Sequence, residues 1–179
     1  NVLKLMKRGG NRESLERLIE RVRTAVPGIA IRTTFITGFP GETDEDFEEL
    51  LTFVRNCRFD NVGVFTYSDE EGTAAFDLPN KVDPRVAKRR RDRLMKAQAK
   101  ISRALNKAKV GKTFPVMFEG LSQESDLLFQ GRLAGQAQEI DGYILLNDMP
   151  EGFEPEIGRI YNVKITEAHE YDLIGAITP

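Results

Sequence analysis

The stretch IAIRTTFITGFPGETDEDFEELL, residues 29–51, decides the fold of the first part of the chain. Its first half is apolar and rich in β-branched residues up to Thr37, which predicts a strand. Thr43 is followed by three acids, and such residues favour the first turn of a helix. The segment GFPGE, residues 38–42, lies between the two and contains glycines that permit a positive φ. The stretch therefore predicts a strand, a tight loop and a helix.

The segments on either side of this stretch extend the same alternation. Residues 11–26 place leucine and isoleucine at helical spacing after Asn11, a good N-cap. Residues 60–68, DNVGVFTYS, predict a second strand. Helix, strand, helix and strand at short spacing favour parallel strands joined by crossover helices.

The GFPGE loop follows the carboxyl end of a predicted parallel strand, where α/β folds bind ligands. Two interpretations remain open from the residues alone. The loop could hold a ligand, or it could be a tight turn with a helix cap and no ligand. Glu42 could accept a hydrogen bond in either case, from a ligand or from the loop itself.

The charges divide the chain into three blocks. The net charge of −2 is the balance of −4 over residues 1–83, +10 over residues 84–109 and −8 over residues 110–179. The middle block starts with Pro84 and has no internal glycine or proline, which predicts one helix over residues 84–107. Its charge fits a solvated face or a patch for phosphate backbones, and the lack of interleaved aromatic residues weakens the nucleic-acid interpretation.

The last block contains five short strand-like segments separated by Gly, Asp, Asn or Pro. This pattern predicts a small five-stranded β-barrel of the oligonucleotide-binding type. The predicted fold class is therefore α/β, a partial parallel (βα) barrel followed by a long helix and a small barrel. The predicted domains are residues 1–109 and 110–179.

Composition excludes several classes of protein. No apolar stretch approaches the roughly 20 residues that span a bilayer. The single cysteine, Cys57, excludes a disulfide within the chain and a metal site made of several of its thiolates. Cys57 is interpreted as a core or surface thiol, and His169 as a surface histidine. A cytoplasmic protein is predicted, and the chain, which does not begin with Met, is expected to be part of a longer one.

The segments RTTFITGFPGETDEDFEEL, FDNVGVFTYSDEEGT and AHEYDLIG resemble the radical-SAM methylthiotransferases over almost the whole chain. VGVFTYSDEEGT, EIDGYILLND and EYDLIG are more similar to the branch that methylthiolates an aspartate of small-ribosomal-subunit protein twelve. The resemblance implies the second half of a radical-SAM barrel, then a TRAM domain. Asp69 and Ala74 depart from the family, which often has prolines there.

The resemblance also implies the cofactors, S-adenosylmethionine and two 4Fe-4S clusters in the full enzyme. The cluster cysteines are not in this chain, which is therefore expected to be inactive alone, with no catalytic or metal-binding residue of its own. Ile36 and Phe39 would contact adenine, while Gly38 and Gly41 would let the backbone approach it. The predicted cofactor-binding residues are Arg32, Ile36, Gly38, Phe39, Gly41, Glu42 and Phe65.

One of these seven residues and two further ones have weaker or alternative roles in the same prediction. Arg32, a charge in an apolar strand, would pair with a barrel acid or with the methionyl carboxylate of the cofactor. Tyr67 shares the predicted rim with Phe65, and both could instead be core aromatic residues. Arg8 is a further rim candidate.

The charge of the last block predicts the partner. A surface carrying −8 repels RNA and attracts a basic protein, so the TRAM domain is expected to dock a basic ribosomal protein, with nucleic acid disfavoured and no membrane involved. Two alternatives remain. The +10 helix favours a tRNA methylthiotransferase of the same fold, and the missing cysteines favour a non-catalytic binding module.

Overall fold

The structure is a computed structural model that describes residues 1–122 and 125–178. The described residues form two compact units, one from Asn1 to Ile101 and one from Ser102 onward. The first unit contains α1 (Val2–Leu5), α2 (Arg12–Ala25), β1 (Arg32–Thr37), α3 (Asp44–Cys57), β2 (Asn61–Thr66) and most of α4 (Pro84–Lys107). The second contains β3 (Thr113–Ser122), β4 (Ser125–Arg132), β5 (Ile144–Asp148), β6 (Ile160–Ala168) and β7 (Leu173–Ile177).

In the first unit, β1 and β2 form a parallel two-stranded sheet, as predicted. Successive side chains along each strand point to opposite faces of the sheet. Phe35 points to the helical face, where its ring packs edge-on against Phe53 of α3 and Phe59. Ile36 points the other way and pairs in register with Phe65, and both side chains are exposed. One face of the sheet is therefore packed, and the other is open.

Local signals set the bounds of α2 and α3. Asn11 caps α2, and its side chain accepts a hydrogen bond from the Ser14 amide at 2.9 Å. Thr43 caps α3 and forms a reciprocal capping box with Asp46. The helix then ends at Arg58, whose φ of 47° is left-handed. The predicted helices are confirmed, whereas the short α1 has no counterpart among the sequence predictions.

The long helix α4 runs from Pro84 to Lys107, as predicted. Its apolar residues Val86, Leu94, Ala97, Ile101 and Leu105 recur at roughly helical spacing. Leu94 and Ile101 are buried, but the other three are only partly buried because the helix turns Ala87, Arg90 and Gln98 inward. The amide of Gln98 donates a hydrogen bond to the Phe59 carbonyl at 2.8 Å. The interpretation of the helix charge as a solvated face is therefore wrong at Arg90, because that residue is buried.

The second unit is a closed barrel in the order β3-β4-β5-β7-β6, with β6 pairing back to β3. All neighbours are antiparallel except β5 and β7. This confirms the predicted small five-stranded barrel. Its buried core consists of Val116, Phe118, Ile144, Leu146, Val163, Ile165, Leu173 and Ile177.

The two units divide inside α4, and the last helical turns lie with the barrel. The Asn106 side-chain amide lies 3.4 Å from the carbonyl oxygens of the His169–Tyr171 turn. The domain boundary between residues 109 and 110 stays a prediction. Across residues 1–122 and 125–178, no helix combines the length and the apolarity needed to cross a membrane.

Candidate functional site at the ends of the parallel strands

The loop after β1 is constrained by its left-handed glycines and by the segments packed against it. Gly38 and Gly41 have φ of +79° and +82°, which L side chains rarely adopt. The Gly41 amide donates a hydrogen bond to the Asn80 carbonyl at 2.9 Å. A Cβ on Gly38 would lie 2.3 Å from the Cβ of Ala87 on α4. The close approach of α4 thus explains this glycine without a ligand.

Glu42 is buried beneath the loop. Its Oε1 accepts a hydrogen bond from the Gly38 amide at 3.0 Å and another from Arg90 Nη1 at 2.6 Å. The same guanidinium donates through Nη2 to Asp44 at 2.7 Å. Burial raises the pKa of Glu42, while the Gly38 amide and Arg90 oppose that rise. The sequence left open whether Glu42 accepts a hydrogen bond from a ligand or from its own loop. In the structure it accepts one from its own loop, at Gly38, and a second from Arg90, which the sequence did not indicate.

Arg90 is the residue that sequence reasoning missed. It lies 48 positions from Glu42, so no local pattern joins them. A signal was present in the helical spacing, because Arg90 lies between Ala87 and Leu94 on the buried stripe of α4. A charged residue at such a position requires a buried partner.

Aromatic side chains connect the loops after β1 and β2. Phe39 is only 5% exposed, and its ring packs edge-on against Tyr67 with centroids 5.3 Å apart. The Tyr67 hydroxyl donates a hydrogen bond to Asp69 at 2.8 Å. The Lys81 ammonium lies 5.5 Å from the Tyr67 ring centroid and forms an ion pair with Asp69. Phe39 therefore serves the packing of this rim.

Ile36 and Phe65 form an exposed apolar pair on the open face, at the carboxyl ends of β1 and β2. They lie opposite each other in register and are 39% and 63% exposed. Arg32 is on the same face but at the start of β1, about 13 Å away at 3.3 Å per residue. Arg32 is exposed, so the expected cost of burying its charge does not arise.

A cavity of about 580 Å³ opens between α1, α2, α3 and β1. Its size is within the range of small-molecule sites. Ile36 and Glu42, two of the seven predicted cofactor-binding residues, line it, and so does Arg8. The charged residues in its lining are Lys4, Arg8, Arg12, Glu42, Asp46 and Glu49.

Metal ligands are not grouped in the part of the chain that the structure describes. No three His, Cys, Asp or Glu side chains there could hold a metal ion. Cys57 is buried, and burial raises the pKa of its thiol. His169 is exposed, as predicted.

Comparison with known proteins matches both units to families. Residues 1–54 match the radical SAM superfamily, and residues 110–178 match the TRAM domain. The chain is 54% identical over 99% of its length to the ribosomal protein uS12 methylthiotransferase RimO of Solibacter usitatus. It is 49% identical over 99% to RimO of Koribacter versatilis, and 48% over 96% to RimO of Myxococcus xanthus.

The chain spans 35% to 38% of the length of these three relatives. The two domain matches occur in the order that the sequence predicted, with the TRAM match on the barrel. Over nearly its whole length the chain is therefore similar to methylthiotransferases, and it matches the radical SAM superfamily and the TRAM domain in turn.

Proposed function

We propose that the protein to which this chain belongs transfers a methylthio group to an aspartate of ribosomal protein uS12. The carrying observation is the 54% identity, over nearly the whole chain, to a relative named for uS12 methylthiotransfer. In this proposal the first unit supplies part of the S-adenosylmethionine site, and the barrel docks the protein substrate. A ribosomal-protein substrate also implies a cytoplasmic location.

The open end of the β1–β2 sheet fits part of S-adenosylmethionine. The exposed Ile36 and Phe65 offer an apolar surface for adenine, and the backbone of the Gly38–Gly41 loop lies beside it. Phe39 and Glu42 hold that loop in place from beneath. Once cleaved by one electron from a reduced cluster in the rest of the protein, S-adenosylmethionine held there would supply the carbon radical that removes a hydrogen from the substrate.

Iron–sulfur clusters do not fit the described residues, because the chain has one cysteine and it is buried. The radical SAM family implies such clusters, so we assign the ligands of two 4Fe-4S clusters to the rest of the protein. No step of the chemistry is placed on this chain's own side chains, and the chain by itself is expected to be inactive.

The barrel carries the charge expected for a basic partner. Residues 110–179 hold 12 acids and 4 basic residues. At the barrel end formed by residues 133–143 and the β6–β7 turn, acids serve the fold: Asp141 accepts from the Ala137 amide, and Asp172 from the Tyr143 amide. Electrostatic attraction over such a surface speeds the encounter with a basic protein.

The opposite barrel end has acids with no such internal role. Strand pairing places the β5–β6 loop, residues 149–159, at this end together with the end of β3. Glu151 and Glu154 are exposed and bond to no other described residue, beside the exposed Phe153 and Ile157. Acids around apolar side chains suit a basic segment with an apolar anchor, so we place uS12 docking on this loop.

The structure weakens the tRNA alternative. Its support was the +10 block, but two of those charges are matched by acids elsewhere in the first unit. Arg90 pairs with Glu42 and Asp44, and Arg93 pairs with Glu48 at 2.7 Å. Less of the helix charge is then left to bind phosphates.

The proposal is tested with the full-length protein, its clusters reconstituted under anaerobic conditions. The protein is incubated with S-adenosylmethionine, a sulfur source and a reductant, and with either uS12 or tRNA as substrate. Mass spectrometry should find one added methylthio group on a uS12 aspartate. A methylthio group on tRNA, with uS12 unmodified, would refute the proposed substrate.

A further inference from the structure

One side chain of α4, Arg90, is buried against the loop that the proposed cofactor site uses. Arg90 is 5% exposed, and its guanidinium bridges the buried Glu42 and the exposed Asp44. It also lies 5.8 Å from the centroid of the Phe47 ring. Its Nε has no hydrogen-bond partner among the described residues. Both terminal nitrogens of the guanidinium therefore bond to the acids Glu42 and Asp44, while its third nitrogen, Nε, has no hydrogen bond to a described residue.

Stability alone does not explain this arrangement. A buried ion pair often contributes no more than apolar residues of the same volume, because both charges lose their hydration. What the pair does is fix one oxygen atom. Oε1 of Glu42 accepts from both Arg90 Nη1 and the Gly38 amide, so the cation and the loop backbone meet at the same atom.

The Gly38 amide depends on that oxygen. The amide is buried, and a buried N–H without an acceptor costs about 1–3 kcal/mol. Gly38 follows the end of β1 directly, two residues after Ile36 of the exposed apolar pair. The Glu42 carboxylate therefore supplies the acceptor for the first amide after β1.

We propose that Arg90 is a positioning residue, which holds the Glu42 carboxylate on the Gly38 amide and so keeps the loop of residues 38–42 in its binding conformation. This inference rests on the proposed function, because it takes that loop as part of the S-adenosylmethionine site. Arg90 itself touches neither the exposed face nor the predicted adenine contacts; it acts through Glu42.

The electrostatics of Glu42 make this role testable by pH. The groups that face its carboxylate are Arg90 from α4, Asp46 from α3 and the Gly38 amide of its own loop. Burial and Asp46 raise the pKa of Glu42, whereas Gly38 and Arg90 lower it. Without Arg90 the pKa rises further. Glu42 is then neutral at low pH and an unpaired buried charge at high pH, which favours its leaving the loop.

The test compares Arg90→Met with Arg93→Met in the full-length protein with reconstituted clusters. Arg93 is a matched control on the same helix: its guanidinium also lies over Phe47, at 5.0 Å, but its ion pair with Glu48 is half exposed. Two quantities are measured between pH 6 and 8.5. These are the affinity for S-adenosylmethionine and the hydrogen-exchange rate of the peptide that covers residues 36–43.

For Arg90→Met we expect about tenfold weaker cofactor binding at pH 8.5 and faster exchange in residues 36–43, and both changes should diminish as the pH is lowered. The wild type and Arg93→Met should show neither change. Adding Glu42→Gln to Arg90→Met should restore affinity at pH 8.5, because the amide oxygen still accepts from Gly38 and no charge is buried. The rate at saturating cofactor should change by less than about twofold, since a positioning residue acts on binding.

The inference is overturned if Arg90→Met behaves like Arg93→Met. It is also overturned if Glu42→Gln does not rescue the loss of affinity at pH 8.5. If Arg90→Met does not fold, Glu42→Ala is the deciding variant, because it leaves the Gly38 amide without its acceptor. It should weaken cofactor binding independently of pH, and an unchanged affinity would contradict the inference. Should the wild type itself not bind S-adenosylmethionine, the proposed function fails, while the exchange rates still decide the role of Arg90.

Discussion

At the scale of single residues, Gly38 is fixed by two requirements. Its φ of +79° is left-handed, and a Cβ there would collide with Ala87. Gly28 has nearly the same φ, +80°, but nothing lies within 4 Å of its Cβ position. The two glycines therefore separate the cost of a left-handed backbone from the cost of a clash with a helix.

Gly38→Ala should lower the free energy of unfolding by about 2–5 kcal/mol, which combines about 1–2 kcal/mol for the left-handed backbone with about 1–3 for overpacking. Gly28→Ala should lower the free energy of unfolding only by the cost of the left-handed backbone, about 1–2 kcal/mol. Urea denaturation of both variants checks this. Equal losses would mean that α4 does not press on the loop as the structure shows.

At the scale of elements, the start of α3 is set by the Thr43–Asp46 capping box. The Asp46 carboxylate accepts from the Thr43 amide at 3.0 Å and from the Thr43 hydroxyl at 3.1 Å. Partial burial alone would raise the pKa of Asp46, but these bonds and one from Asn1 outweigh it, and the pKa is lowered. The contribution of this carboxylate is therefore present above the unfolded-state pKa of about 3.9 and lost as pH falls through the folded-state value.

Asp46→Asn should lower the free energy of unfolding by about 0.5–1 kcal/mol at pH 6, because the neutral amide binds the helix N-terminus less strongly. The difference from wild type should shrink as pH falls toward 3. Glu45→Gln, which removes an exposed acid from the same turn, should have a smaller effect. Denaturation at several pH values checks both, and a difference that stays constant down to pH 3 would contradict the assigned role.

Elements were predictable where their signals are local. Asn11, Thr43 and Pro84 mark the helix starts, and the structure places each helix as those residues indicated. The buried faces were less predictable, because burial depends on what lies opposite. Arg90 is buried only because Glu42 and Asp44 lie across from it, and no sequence pattern joins residues so far apart.

The candidate site was predictable in position but not in the role of each residue. The end of β1 follows from the strand–loop–helix pattern, and Ile36 and Phe65 lie exposed there. Whether a loop residue faces a ligand or the interior is decided by tertiary packing. Phe39 packs on Tyr67, and Glu42 faces inward to Arg90, which sequence patterns do not encode.

At the scale of the whole molecule, the charge division is the most informative feature. The cationic helix is partly neutralised within the first unit, at Arg90 and Arg93. The barrel keeps its excess of acids, some of which bond to no described residue. The acidic charge of the barrel favours a basic protein as its binding partner.

The most direct test of this account is the affinity of the full-length protein for uS12, beside tRNA, at low and high salt. We predict salt-sensitive binding to uS12 and none to tRNA. Glu151→Lys with Glu154→Lys should weaken binding to uS12 about tenfold, or 1.4 kcal/mol. The control is Glu167→Lys with Glu170→Lys, which makes an equal charge change elsewhere on the barrel and should weaken binding much less. Binding of tRNA in preference to uS12, or equal losses in the two double variants, would contradict docking on the acidic loop.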